Sequence, residues 1–467
     1  MLKFLILCLF VSLISFSPSL NIIPKNLIVT SWHDQQRLLE LLLLNFTLFY
    51  YVITKSNVSL LSTGLAVRYA FYAFLTLALT SSCLATSPRH ALLEISLFAG
   101  LAYLSLFIAH LYREKNTLLI KQFSYILWAS ILLYMVSFYV GYITATIYKT
   151  PVTWPNPLTG FSNIRSFTQY QLWTLGLITL PILTFDFKKS YTRYWLHLGL
   201  VCWWVLLFYS ASRGALLAWF VGVLATLLIY RKLAWPFIRL QLIHITTGFL
   251  SYQILFQVIP ALRNSAVVTG TIMRDTTSDR IELWSQCLNL IQNHPVFGVG
   301  PMHFAWYNHT SASAHPHNSV LQLMAEWGLP AALLILCVAG YGLFRWLKKF
   351  NNTSLQSETR LSRNLAIVLF FTITTNATYS LVDGVIVMPI SQVMMFTFIG
   401  LMLGFYSYGN PITVTKKSLF KPIFACVILI SLIWSTLPEI LQSASGSEKR
   451  FSIGYTASGP RIWLELK

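Results

Sequence analysis

The residues best suited to chemistry are two histidines in the stretch Ala314-His315-Pro316-His317-Asn318-Ser319. His-x-His spacing can bind a metal. No cysteine or carboxylate lies within a few residues of the pair, so the expectation is no metal and no cofactor. A second reading is a structural histidine, hydrogen-bonded in a loop. A third starts from Asn318, a good N-cap residue, which places a helix start just after His317. The positive end of that helix disfavours an imidazolium and can keep the ring neutral. A neutral imidazole is what a general base needs. His317 is therefore the candidate base, with His315 and Asn318 as possible auxiliaries.

Arginines form the second group. Arg213 sits in Ser210-Ala211-Ser212-Arg213-Gly214, between two long apolar runs. There it is either a snorkelling anchor or a binder of an anionic group. Its planar fork suits phosphate oxygens. Arg165 lies in Asn163-Ile164-Arg165, ahead of Gln169 and Gln171. A hydrated loop is the plain reading of that cluster. Arg280 begins an expected surface helix and could be a solvated charge. Taken together on one outer face, the three would make an electropositive pocket, suited to a lipid diphosphate at headgroup depth.

These groups must be positioned by membrane helices. The chain has 467 residues, of which 56% are hydrophobic and only 10% charged, too apolar for a soluble domain with an anchor. Strand-like alternation is absent, so helices are expected rather than a barrel. A span needs about 20 apolar residues to cross ~30 Å of hydrocarbon. Candidate spans are 2–19, 38–54, 65–85, 91–111, 123–147, 169–185, 194–211, 213–230, 237–258, 329–347, 364–383, 388–407 and 421–438. The gap at Ala211 to Arg213 reads as a tight hairpin or an interrupted helix. Residues Met1 to Leu20 resemble a signal peptide but lack a good small-x-small cleavage site, so they count as the first span. The fold class expected is an all-α polytopic membrane protein with about 12–13 transmembrane helices and a large outer loop.

The net charge of +19 is distributed as a topology signal. Arg113, Lys115 and Lys121 share one short loop, and Lys188, Lys189 and Arg193 share another. Arg231, Lys232, Lys348, Lys349, Arg360, Arg363, Lys416 and Lys417 complete the set. If the spans alternate, all of these fall on one side, which the positive-inside rule makes cytoplasmic. This distribution argues against a nucleic-acid partner. The N-terminus is then inside, and 148–168, 259–328 and the tail from Glu439 are outside. Cys8, Cys202 and Cys337 lie in apolar runs and only Cys287 in the large loop, so no disulfide framework is implied.

The expected organisation is 1–258 an N-terminal transmembrane bundle, 259–328 an outer catalytic loop, 329–438 C-terminal transmembrane helices and 439–467 a short outer tail. Asp279 and Glu282 form an Asp-x-x-Glu cap pattern. Ile281, Trp284, Leu288 and Ile291 follow at helical spacing, as in an amphipathic helix on the membrane surface, stopping near His294-Pro295. Gly298 and Gly300 allow a tight turn. A second helix should run from Asn318 to Gly328-Leu329-Pro330.

Four segments of this region resemble the signature of the O-antigen ligase superfamily. They are Asp279-Arg280-Ile281-Glu282-Leu283-Trp284, Asn293-His294-Pro295-Val296-Phe297-Gly298-Val299-Gly300, His315-Pro316-His317-Asn318-Ser319-Val320-Leu321-Gln322 and Glu326-Trp327-Gly328-Leu329-Pro330. Ser210-Ala211-Ser212-Arg213-Gly214 is similar to its upstream Ser-Arg-Gly motif, and Asn163-Ile164-Arg165-Ser166-Phe167 to an earlier loop motif. The resemblance is specific across roughly 160–330, with an O-antigen ligase-related region at about 195–345. It implies a GT-C-like membrane glycosyltransferase, inverting and metal-independent. The enzyme would act at the periplasmic face of the bacterial inner membrane. Its donor would be a glycan on undecaprenyl diphosphate. The acceptor would be lipid A core, a glycan or pilin. It also implies His317 as catalytic base, Arg213 and Arg280 as donor-diphosphate binders, and Arg165, His315 and Asn318 as auxiliaries.

The superfamily includes O-antigen ligases of lipopolysaccharide assembly, Wzy-type polymerases and protein O-oligosaccharyltransferases. The last often carry a soluble region beyond the final span. The short stretch after Leu437 therefore favours the ligase-like reading. A polysaccharide flippase or transporter would want polar residues along a central pathway, whereas the polar motifs here gather at one face.

Overall fold

Apolar runs too long for a soluble helix become long helices in the computed structural model. It describes all residues except 21, 23–30, 55–57, 60–64, 154–157, 159, 162, 187–189, 264–266, 269–279, 308–312, 410–412, 415–419 and 445–467. Among the described residues, nine helices are long and apolar enough to cross a membrane. They are Trp32–Thr54, Ala66–Leu84, Pro88–Lys115, Thr117–Ile147, Arg213–Leu233, Trp235–Arg263, Leu329–Lys349, Pro389–Ser407 and Lys421–Pro438. The chain is an all-α polytopic membrane protein. Extended pairing in the described residues is confined to two-residue bridges, Val58–Ser59 with Thr413–Val414 and Val152–Thr153 with Val267–Val268.

The other expected spans are helical but differ in kind. Leu2–Phe16 is short. The run expected at 169–185 is broken into Ile164–Leu177 and Leu180–Thr184. Ser190–Tyr209 and Arg360–Tyr379 complete the set. Arg360–Tyr379 buries Asn364, Thr372, Thr375 and Asn376. A helix enclosed by protein need not be apolar all round. Its polar side chains can bond its own carbonyls, as Thr372 Oγ1 does to Val368 O at 2.8 Å and Asn376 Nδ2 to Thr372 O at 2.9 Å. The span expected at 364–383 ends at Tyr379, so Asp383 stands in the turn beyond it.

Arg360–Tyr379 packs on Arg213–Tyr230 and Ile164–Leu177, while Pro389–Ser407 packs on Pro88–Lys115. The latter contact is close because Gly400 and Gly404 present no side chain. A Cβ at Gly400 would lie 2.6 Å from Ser105 O, and one at Gly404 2.9 Å from Ala109 O. Without a hydrophobic drive between helices in lipid, such small-residue contacts are how spans approach each other. The gap at Ala211 is a turn, with Ala211 at φ +52°. The helices it joins pack on different neighbours: Ser190–Tyr209 takes Trp235–Gln253, and Arg213–Tyr230 takes Arg360–Tyr379.

Within 259–328 two helices pack against each other. Arg280–Asn293 buries Leu283 and Cys287 in a small core with Ala325 of Ser319–Trp327 and leaves Ile281 and Leu288 exposed. Asp279, the first residue of the cap pattern, lies outside the described residues. Gly298 and Gly300 take φ +66° and +107° between the two helices.

The ends of the bundle differ chemically. At the basic end Lys3 pairs with Glu114 at 3.1 Å, Asn352 bonds Ile229 O at 2.9 Å, and Arg345 reaches Tyr406 at 3.1 Å. At the opposite end Arg165 meets His317 at 2.8 Å and Thr168 meets Tyr379 at 2.8 Å. The grouping agrees with alternation of the spans. We expect exposed Gln292 and exposed Thr353 to lie on opposite sides of the membrane, with Gln292 outside. Gln292→Cys, in a cysteine-free background, should react with an impermeant maleimide on permeabilised-envelope cells. Thr353→Cys should react only after lysis, and the reverse pattern would overturn the orientation.

Candidate active site

Five connections converge at the end of the bundle opposite Lys3 and Arg345, and side-chain caps set two of them. Asn163 Oδ1 accepts from Ser166 N–H at 2.9 Å, so Ile164–Leu177 starts there and Arg165 falls in its first turn. The turn at Ala211 puts Arg213 first in its helix. Arg280 opens the Arg280–Asn293 helix. Asn318 Oδ1 accepts from Val320 and Leu321 N–H, each at 3.0 Å, capping Ser319–Trp327. The fifth connection runs from Ser380 to Met388. Ser319 N–H donates to Ser380 O at 2.8 Å, and Trp284 Nε1–H to Pro316 O at 3.0 Å. The histidine loop is thereby tied to the 380 turn and to the surface helix.

His317 is buried and has φ +54°, an uncommon backbone for a side-chain-bearing residue. Its Nδ1 lies 3.4 Å from Asp383 Oδ1, and its Nε2 lies 2.8 Å from Arg165 Nη1 and 3.1 Å from Ser313 Oγ. A guanidinium can only donate, which assigns the tautomer. Nε2 carries the lone pair, and Nδ1 carries the proton facing Asp383. Burial lowers the His317 pKa most, the Asp383 contact and charge oppose that, and Arg165 and Arg280 lower it again. The net shift is downward, so the ring is neutral at pH 7. Burial pushes Asp383 up, but the bonds and charge at His317, the Tyr379 hydroxyl and Gly384 N–H outweigh it and hold the carboxyl at about 2. Asp383 is an anion that orients a neutral imidazole whose free nitrogen faces a cation.

Arg280 is half-buried, and its pKa is lowered by burial first and then by Arg165, with Arg213 adding to it. The three guanidinium groups thus share one field, and Arg213 is exposed. His315 is buried with its ring centroid 4.2 Å from that of His317. It packs against Gly384, where a Cβ would lie 2.3 Å from His315 Nε2. His315 is a wall of the site. Asn318 spends its Oδ1 on the helix cap.

His315, His317 and Asp383 offer donor atoms within 4.8 Å of one another. Asp383 supplies the carboxylate that is missing near His-x-His in the sequence. The set still fits a metal poorly. His317 Nε2 takes an Arg165 N–H, and three guanidinium groups repel a dication.

The sequence-derived residues Arg165, Arg213, Arg280, His315, His317 and Asn318 all meet at this end, with Arg165 in direct contact with the imidazole. Sequence reasoning missed Asp383, Tyr379 and Thr168. Asp383 carried one legible signal, as the only acidic residue between Glu358 and Glu439 in a long apolar stretch. Tyr379 and Thr168, hydrogen-bonded to each other at 2.8 Å, carried none.

Residues 198–336 match the family model described as O-antigen ligase. The matched stretch contains Arg213, Arg280, His315, His317 and Asn318, and it leaves Arg165 and Asp383 outside. No curated protein matches the chain.

The lowered pKa of His317 means that its neutral form persists to more acid pH than usual. Diethyl pyrocarbonate, which modifies neutral imidazole, should react at His317 with a midpoint below about 6.5, read by mass spectrometry. Arg165→Met removes a depressing charge and should move the midpoint up. A midpoint unmoved or lower in that variant would contradict the electrostatic account.

Proposed function

We propose that this chain, a member of the O-antigen ligase superfamily, transfers a glycan from undecaprenyl diphosphate to an acceptor hydroxyl at the periplasmic face of the bacterial inner membrane. The ligase-like acceptor is lipid A core. The observation that carries the reading is the His317 arrangement: Asp383 on Nδ1, a lone pair on Nε2, and Arg165, Arg213 and Arg280 around it.

In this reaction His317 Nε2 takes the acceptor hydroxyl proton as the oxygen attacks the anomeric carbon. The bond from that carbon to the diphosphate oxygen breaks, and undecaprenyl diphosphate leaves from the opposite face. Arg213 and Arg280 meet the charge that develops on the leaving group. Asp383 holds the imidazole tautomer and stabilises the imidazolium that forms. Arg165 rests on Nε2 and must move aside for the acceptor. A diphosphate gives its guanidinium a charge-assisted partner, stronger than a neutral imidazole. Undecaprenyl diphosphate is a good leaving group, so charge stabilisation by arginines replaces a metal.

Four outcomes test this. His317→Ala should remain in the membrane at normal abundance and lose transfer by roughly 10²–10⁴-fold. Arg213→Lys and Arg280→Lys should fold and lose at least about tenfold, since a charge-assisted contact is worth ~1.5–3 kcal/mol. Lysine keeps the charge and snorkels equally well, so full activity in both would return these arginines to anchoring. EDTA should change nothing, and inhibition reversed by a divalent ion would reinstate the metal reading. In a deletion strain, loss of long-chain lipopolysaccharide supports the ligase reaction. Loss of polymerised repeats or of glycosylated pilin would redirect the acceptor.

A further inference from the structure

The helix Trp32–Thr54 carries a buried ion pair that the chemistry above does not use. Arg37 is 2% exposed and its partner Glu40 0%. Charges this deep in an apolar bundle are costly, and removing either partner alone leaves the other uncompensated. The contacts of Arg37 show where the pair leads. Its Nη1 reaches Glu40 Oε2 and, at 2.6 Å, Gln392 Oε1. Its Nη2 donates to Val387 O at 2.6 Å. Gln392 Nε2 donates to the preceding carbonyl, Ile386 O, at 2.7 Å. Two successive carbonyls of the 380–388 turn are therefore gripped from two helices.

From there a series of contacts leads to the site. Val387 N–H donates to Gly384 O at 3.1 Å, Gly384 N–H to Asp383 Oδ1 at 2.7 Å, and Asp383 Oδ1 faces His317 Nδ1 at 3.4 Å. The turn has no ladder of its own to fix Asp383. We propose that Arg37, with Glu40 and Gln392, is a positioning unit that clamps the 380–388 turn and so holds Asp383 in register with His317. The proposal rests on the roles given above to Asp383 and His317. An arginine suits the task because its planar fork serves acceptors in separate directions, whereas an ammonium on a flexible stem does not hold them in one plane. A displacement of about 1 Å at such a carboxylate is enough to cost on the order of a hundredfold in rate.

The test removes both charges together, as Arg37→Met with Glu40→Leu, so that neither member of this pair is left without the other. Gln392→Leu, which loses the grip on Ile386 O and keeps the ion pair, is the second variant. Hydrogen–deuterium exchange of peptides covering 381–388 should accelerate in both, while the Arg213–Tyr230 helix stays protected. With undecaprenyl-diphosphate-linked oligosaccharide and lipid A core as substrates, kcat should fall roughly ten- to a hundredfold and donor KM should stay within about twofold. Adding Asp383→Asn should cost far less in these backgrounds than in the wild type, because the carboxylate is already misplaced. Unchanged exchange at 381–388, or full additivity with Asp383→Asn, would overturn the clamp. Absence of turnover in the wild type would instead sink the functional reading, and the exchange measurement would still decide the clamp.

Discussion

A carboxylate as buried as Asp383, 1% exposed, has lost its hydration and must recover it from fixed donors. Those donors come from separate parts of the chain. Gly384 N–H is its own neighbour, His317 Nδ1 comes from the outer loop, the Tyr379 hydroxyl from the end of Arg360–Tyr379, and Gln169 Nε2, at 3.4 Å, from Ile164–Leu177. Gathering these donors round one ion requires two helices, the 380–388 turn and the histidine loop to arrive at the same depth, and Oδ2 is still without a hydrogen-bond partner among the described residues. The close packing of Arg360–Tyr379 on Ile164–Leu177 serves that need. At Gly176 a Cβ would lie 2.2 Å from Thr372 Oγ1, so only a glycine allows the approach.

The parts of this arrangement that were legible in the sequence are those governed by local chemistry. The helix cap at Asn318, the turn glycines Gly298 and Gly300, and the long apolar runs follow from short-range rules, and they stand where those rules put them. The cluster at Asn163 reads as a hydrated loop, whereas Asn163 caps Ile164–Leu177. The one-sided distribution of Lys and Arg brought the arginine and histidine motifs to a common face on paper, and the structure brings them into contact. Asp383 was absorbed into an apolar run because a hydropathy reading counts one acid in twenty residues as noise. The division of 164–184 was hidden for the converse reason. Its polar residues Gln169 and Gln171 are buried in protein, so a helix interior to the bundle carries no lipid-facing signature.

Arg37 and Glu40 show the same limit. In sequence they read as the charged edge of an apolar run. In the fold they are buried, and their partner Gln392 lies 355 positions away from Arg37. Such pairings join the first and last parts of the chain, and no local rule reveals them. They matter because the turn that carries Asp383, which the proposed function uses, has few bonds of its own. Rigidity has to be imported from neighbouring helices, as supporting groups do around any pre-organised site.

The hold of the arginines on His317 should weaken once the proposed donor binds. Arg165 and Arg280 both depress the imidazole pKa, in addition to the larger effect of burial. A diphosphate placed among them offsets their charge, and the depression they cause is relieved. Asp383, which raises the His317 pKa, then faces less opposition. If the donor is a diphosphate, as proposed, the imidazole should become a stronger base when it binds, and Arg165 would leave Nε2 at the same moment. Base strength and base access are thus both coupled to the charge of the donor. On the proposed function a diphosphate donor would help to prime this site, because the cations that would hold its oxygens are among the groups that lower the His317 pKa.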